Sequence, residues 1–141
     1  MEKYKAELQK WVEEHKHGHD ELIELFRSVV VFGQGAIKSL FLLNAGAVVI
    51  LLTFVTHLQR GDAAYFAGCI FPFAKGVLFA AILAFCAYIS QFLYAYRDDV
   101  TLRRFGVFFH ILCVVFAAIS LYLFWEGFTL TSAAFEAYGK K

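Results

Sequence analysis

At 141 residues, with 60% hydrophobic side chains, 18% charged ones and a mean hydropathy of +0.62, the chain is too apolar for a water-soluble domain and has the composition of an integral membrane protein. A net charge of +1 and a pI near 7.7 leave no global attraction to nucleic acid or acidic lipid, so no nucleic-acid partner is expected. Cys69, Cys86 and Cys113 share no C-x-x-C spacing and sit in apolar runs, which excludes a disulfide or zinc framework and makes them small buried hydrophobes.

The chain opens with "MEKYKAELQKWVEEHKHGHDE", which is polar and has neither an apolar h-region nor a cleavage site, so the first span is expected to act as the targeting signal. From Tyr4 onward apolar residues recur with helical period, and no proline interrupts before Pro72. A heptad register places Leu8, His15, Leu22, Val29 and Ala36 at a, and Tyr4, Trp11, Gly18, Leu25 and Phe32 at d, with Val12, His19 and Phe26 widening the stripe at e. This predicts a cytoplasmic amphipathic, coiled-coil-like stalk helix over 1–36, continuous with the first span. A lone helix cannot bury such a stripe. Self-association around an axis is the economical solution, and a helix folded back onto the membrane surface is the competitor.

The segment "EEHKHGHDE" puts His15 and His19 one helical turn apart, with His17 on the solvent side. Three readings stand for it. It is a hydrated surface segment; or His15 is a polar seam residue that fixes register and whose protonation sets like charges together at the axis; or the i, i+4 pair shares a metal ion, for which two imidazoles supply only two ligands.

Three runs are long enough for a hydrocarbon core of roughly 30 Å: about Ile37 to Thr56, Ala74 to Tyr96, and Phe105 to Phe128. Between the first two, Gly61-Asp62 is expected to turn the chain and Pro72 to break any helix, leaving Ala63 to Phe73 as a short interfacial piece or an early turn of the second span. The short connection "RDDVTLRR" makes spans two and three an antiparallel hairpin. The fold class is therefore an all-α integral membrane protein with three transmembrane helices plus the long N-terminal helix. Its organisation is 1–36 stalk, 37–128 three-span domain and 129–141 short C-terminal tail. Lys and Arg cluster before the first span and at Arg97, Arg103 and Arg104, so the positive-inside rule places the N-terminus in the cytoplasm and the C-terminus outside. Lys38 and Lys75 are read as snorkelling residues near span ends.

Polar residues inside apolar helices are expensive and face protein or water. Asn44 in span one, Gln91 in span two and His110 in span three each lie five to eight residues inside the expected cytoplasmic boundary, and are expected to form a common layer. That layer is either interhelical glue or the lining of a water-filled axis shared by several copies. Small residues mark close approach: Ala45, Gly46 and Ala47 in span one, Gly76, Ala80, Ala84 and Ala87 in span two, and Gly106, Cys113, Ala117 and Ser120 beside His110 in span three. No acidic residue lies within a span before Glu126, which argues against a carboxylate relay. There is no phosphate-binding loop, Rossmann glycine pattern, H-E-x-x-H or nucleophile with a His and acid partner, so neither an enzyme nor a cofactor is expected.

The run "SLFLLNAGAVVILLTF", followed by "FAAILAFCAYISQFLYAY" and a last apolar helix before "FWEGF", resembles a widespread class of small bacterial membrane proteins of unassigned function. Their first-span motif reads like "LLNGGAAVALLAF" and follows a polar N-terminal helix. Asn44-Ala45-Gly46-Ala47 matches it, with Ala45 in place of the motif's first glycine. Similar proteins occur as membrane effectors of bacterial antiviral cassettes, and the resemblance implies a pore that depolarises an infected cell, in the inner membrane. Two functions are accordingly expected. One is a homo-oligomeric channel, taken as a tetramer, gated through its stalk by a soluble cytoplasmic activator or anionic ligand; the other is a non-conducting anchor or adaptor that assembles in the bilayer and recruits a soluble partner.

Overall fold

The computed structural model describes residues 2–58, 60–95 and 100–140, with all side chains among them except those of 2, 3, 6, 8–10, 12–22, 26, 60–62, 65, 95, 100 and 103. Three α-helices account for the described chain and no strand occurs among these residues: α1 Glu2–Thr56, α2 Arg60–Ala95 and α3 Val100–Tyr138. Each is long and apolar enough to cross a membrane, over Ile23–Thr56, Phe66–Tyr94 and Arg104–Tyr138. These apolar helices point to a membrane location.

The chain divides into two compact units, Met1–Gly35 and Ala36–Lys141. The first is the N-terminal part of α1. Its backbone is helical through Gly18, and Tyr4, Trp11, Leu25, Val29 and Phe32 of the expected seam are exposed. The other expected site residues of this part, His15 and His19, lie outside the described side chains, as do Leu8 and Leu22.

The second unit is a three-helix bundle. Leu40 packs on Ala80 and Leu83, with Cys113 and Phe116 against them, and Leu51 packs on Cys69 and Phe73, with Phe124 and Ala134 alongside. Rising numbers on α1 thus meet falling numbers on α2 and rising numbers on α3. Helices α1 and α3 run antiparallel to α2. At the end where α1 turns into α2, Phe54, Phe66, Phe135 and Tyr138 form one aromatic cluster, with centroids 4.9–5.9 Å from the Phe66 ring, which is wholly buried. The turn itself is closed by His57 N donating to Phe54 O and Leu58 N donating to Val55 O, the short i to i−3 bonds that tighten a last helical turn.

Two expectations change. Helix α2 runs unbroken through Pro72, and its apolar span begins at Phe66, so Phe66 to Phe73 is an early part of the second span, one of the two alternatives for this stretch. Proline removes one hydrogen bond and crowds the carbonyl of residue i−4, here Gly68. In a membrane bundle neighbouring helices hold the interrupted turn in place, and Pro72 is buried between residues that pack on both partners, Cys69 and Phe73. The segment expected to be a tail from 129 is helical to Tyr138, because Phe135 and Tyr138 close the aromatic cluster over Phe66.

Candidate polar centre of the membrane bundle

Helix α2 carries Gly76 against Asn44 of α1, and the close approach at this level is made there and not at Gly46, where an added Cβ would meet nothing within 4 Å. Asn44 is wholly buried. Its Nδ2 donates to the carbonyl of Leu40 at 3.0 Å and to Ser120 Oγ at 3.2 Å, and Ser120 Oγ in turn donates to the carbonyl of Gly76 at 3.0 Å. One chain of hydrogen bonds therefore joins all three helices. Asn44 Oδ1 has no hydrogen-bond partner among the described residues. It lies against Gly76, where an added Cβ would overlap it and come within 2.5 Å of Asn44 Cγ. Only glycine fits under that carboxamide. A similar close fit occurs nearer the aromatic cluster, where a Cβ on Gly127 would meet the Phe73 ring at 2.7 Å.

Nearer the α2–α3 connection, buried Ser90 donates from Oγ to the carbonyl of Gly106 at 3.0 Å, and this second bond fixes the hairpin register. These contacts show where the three expected layer residues sit. Asn44 is level with Gly76 and Ser120. Gln91 neighbours Ser90, and His110 is one turn from Gly106. Fourteen residues of α2 separate Gly76 from Ser90, or about 21 Å at helical rise. The structure therefore does not bring Asn44 into one layer with Gln91 and His110. Asn44 faces inward and is bonded, whereas Gln91 and His110 are exposed on the protomer. The expected common depth counted Asn44 from a boundary at Ile37; the apolar run of α1 instead begins at Ile23, about four turns earlier.

The same alignment relocates the charged residues. Lys38 is two positions before Leu40, which packs on Ala80, and Ala80 lies fourteen residues from each end of Phe66–Tyr94. On α1 itself Lys38 stands 15 residues from Ile23 and 18 from Thr56. It lies near the middle of that candidate segment, not at its start, and its side chain is exposed, with no ion pair among the described residues. Lys75, exposed, adjoins Gly76 at the Asn44 level, and Glu126, half-buried, is six residues beyond Ser120. The three ionisable residues thus fall within about 18 Å along the bundle. A hydrocarbon slab of roughly 30 Å cannot avoid all of them. The signal for Lys38 was legible in the sequence: the apolar run continues N-terminally as "LIELFRSVVVF" before it, so Lys38 does not begin the span.

No group of three or more potential metal ligands occurs among the described residues. No protein-family model matches the chain, and neither does any curated protein or solved structure.

Proposed function

We propose that the protein is a homo-oligomeric membrane channel, with copies of the bundle around a water-filled axis and the part of α1 that precedes Ile23 as the stalk through which a soluble activator or anionic ligand gates it. The supporting observation is the mid-span, outward-facing Lys38. A charge at that depth costs several kcal/mol against lipid, so such residues face water or a partner. Assembly around water relieves that cost; a lone protomer in lipid does not. Gln91 and His110, also exposed, lie three and six residues from the ends of their apolar segments, nearer the interface than Lys38. Cytoplasmic placement of the stalk, the bacterial inner membrane and a part in antiviral defence belong to the same reading, on the charge distribution and the resemblance of the first span.

The non-conducting anchor is the second reading, and Asn44 favours it. The most polar buried side chain of the bundle serves as glue between helices rather than as a lining. Thiol accessibility separates the two. With Lys38→Cys in liposomes, and Cys69, Cys86 and Cys113 replaced by Ala, a membrane-impermeant thiol reagent labels position 38 of a channel; in an anchor whose spans only pack, that position is protected while a cysteine at Lys140 still reacts.

A further inference from the structure

Lys38 raises a question that assembly alone does not answer, namely what neutralises it. The three apolar segments contain three acidic residues: Glu24, fourteen residues before Lys38 on its own helix, and Glu126 and Glu136, both on the half of α3 nearer the aromatic cluster. Lys38 lies six residues from Asn44 towards the α2–α3 connection, and Glu126 lies six residues from Ser120 in the other direction. The axial separation is about 18 Å, far beyond an ion-pair contact. Copies inserted in one membrane share one orientation, so their residues stay in register along the bundle axis. A neighbouring copy therefore presents another Lys38 at that level, and no carboxylate. The Lys38 ammonium groups of an assembly face one another across whatever space lies between them, and lipid supplies no counter-charge at that depth. The remaining source of negative charge is a mobile anion in water.

We infer that Lys38 is the selectivity-determining residue of an anion-conducting path, a ring of ammonium groups at mid-depth that admits chloride-sized inorganic anions and repels cations. This rests on the channel reading and narrows it. The face of α1 that bears Lys38 continues through Leu42, Ala45, Val49 and Leu52 to Thr56 in steps of four, three, four, three and four; all but the half-buried Ala45 are exposed. A charged ring followed by an apolar stretch and a hydroxyl-bearing end is a sequence of surfaces from which selectivity and a dewetting constriction are built. Lys75 is the internal comparison. It is also exposed but stands on α2, nine residues from the start of the second span, and so lies off the α1 face that bears Lys38.

The test is the reversal potential of the full-length protein in planar bilayers under a potassium chloride gradient. The wild type is expected to reverse towards the chloride equilibrium potential. Lys38→Gln is expected to shift the reversal potential away from the chloride equilibrium potential towards zero, Lys38→Glu to invert its sign, and Lys38→Arg to keep it, as rings of side-chain charge set selectivity. Lys75→Gln is expected to leave it unchanged. Currents with a reversal potential that Lys38→Gln and Lys38→Glu do not move, or that Lys75→Gln moves instead, overturn the assignment of Lys38 while the channel stands. Absence of current from verified oligomers, together with protection of Lys38→Cys from aqueous thiol reagents, overturns the channel and this inference with it.

Discussion

Asn44 and Lys38 sit six residues apart on one helix, both near the middle of the bundle, and they show the two ways a membrane helix can carry a polar group. Asn44 points inward, where Leu40, Ser120 and Gly76 complete a chain of hydrogen bonds. Lys38 points outward, and the protomer offers it no partner among the described residues. In water this difference would matter little, because solvent satisfies whatever protein does not. In hydrocarbon the inward group stabilises the fold of one chain and the outward group requires something beyond it. Stability should therefore depend on Asn44 and its surroundings, and ion passage on Lys38.

Substitutions can separate the two roles. The largest effect is expected where packing is closest to the inside: Phe66→Ala empties the centre of the aromatic cluster and should cost about 3 kcal/mol or more of bundle stability, whereas Phe71→Ala, on the exposed face one turn along α2, should cost little. Reversible unfolding in bicelles compares them, and equal losses would remove the distinction between inside and outside on which the comparison rests. Next comes Gly76→Leu, whose side chain would occupy the place of the Asn44 carboxamide; overpacking of this kind costs about 1–3 kcal/mol, and pairing it with Asn44→Ala should recover part of the loss if the two groups compete for one space. Asn44→Leu alone should cost about 1 kcal/mol, the usual worth of an interhelical hydrogen bond in membranes, because Ser120 keeps its bond to Gly76. Its ion flux should match that of the wild type per oligomer, and an altered ion preference would place Asn44 on the conduction path after all. The smallest stability effect is expected from Lys38→Gln in detergent, within about 0.5 kcal/mol as for other exposed positions, despite its effect on the reversal potential.

How far the sequence could be read follows from where its information lies. Apolar runs of helical length identified three helices and the hairpin of α2 and α3, because length and hydropathy are all that a spanning helix requires. Asn44, Gly76 and Ser120 were each legible as polar or small positions on helix faces. Their meeting was not, since it depends on the axial offset of one helix against another, which the packing of Leu40 on Ala80 and of Leu51 on Cys69 decides. Pro72 misled for a related reason: its effect on an isolated helix is to break it, and the packing that overrides this comes from other parts of the chain. Taking Lys38 as a span end places Asn44 too near the boundary and so at the depth of Gln91 and His110, whereas the apolar run before Lys38 sets it deeper.

The lengths of the helices bear on the lipid as much as on the protein. The apolar segment of α2 has 29 residues and that of α3 has 35, which at 1.5 Å per residue is about 43 and 52 Å, against a hydrocarbon thickness of roughly 30 Å. A bundle this much longer than its solvent tilts, thickens the surrounding leaflets or gathers other bundles beside it, and each response costs a fraction of a kcal/mol per ångström of mismatch. Acyl-chain length thereby becomes a control variable: in thin bilayers the excess favours tilt and clustering of copies, and in thick ones the bundle stands closer to upright and more nearly alone.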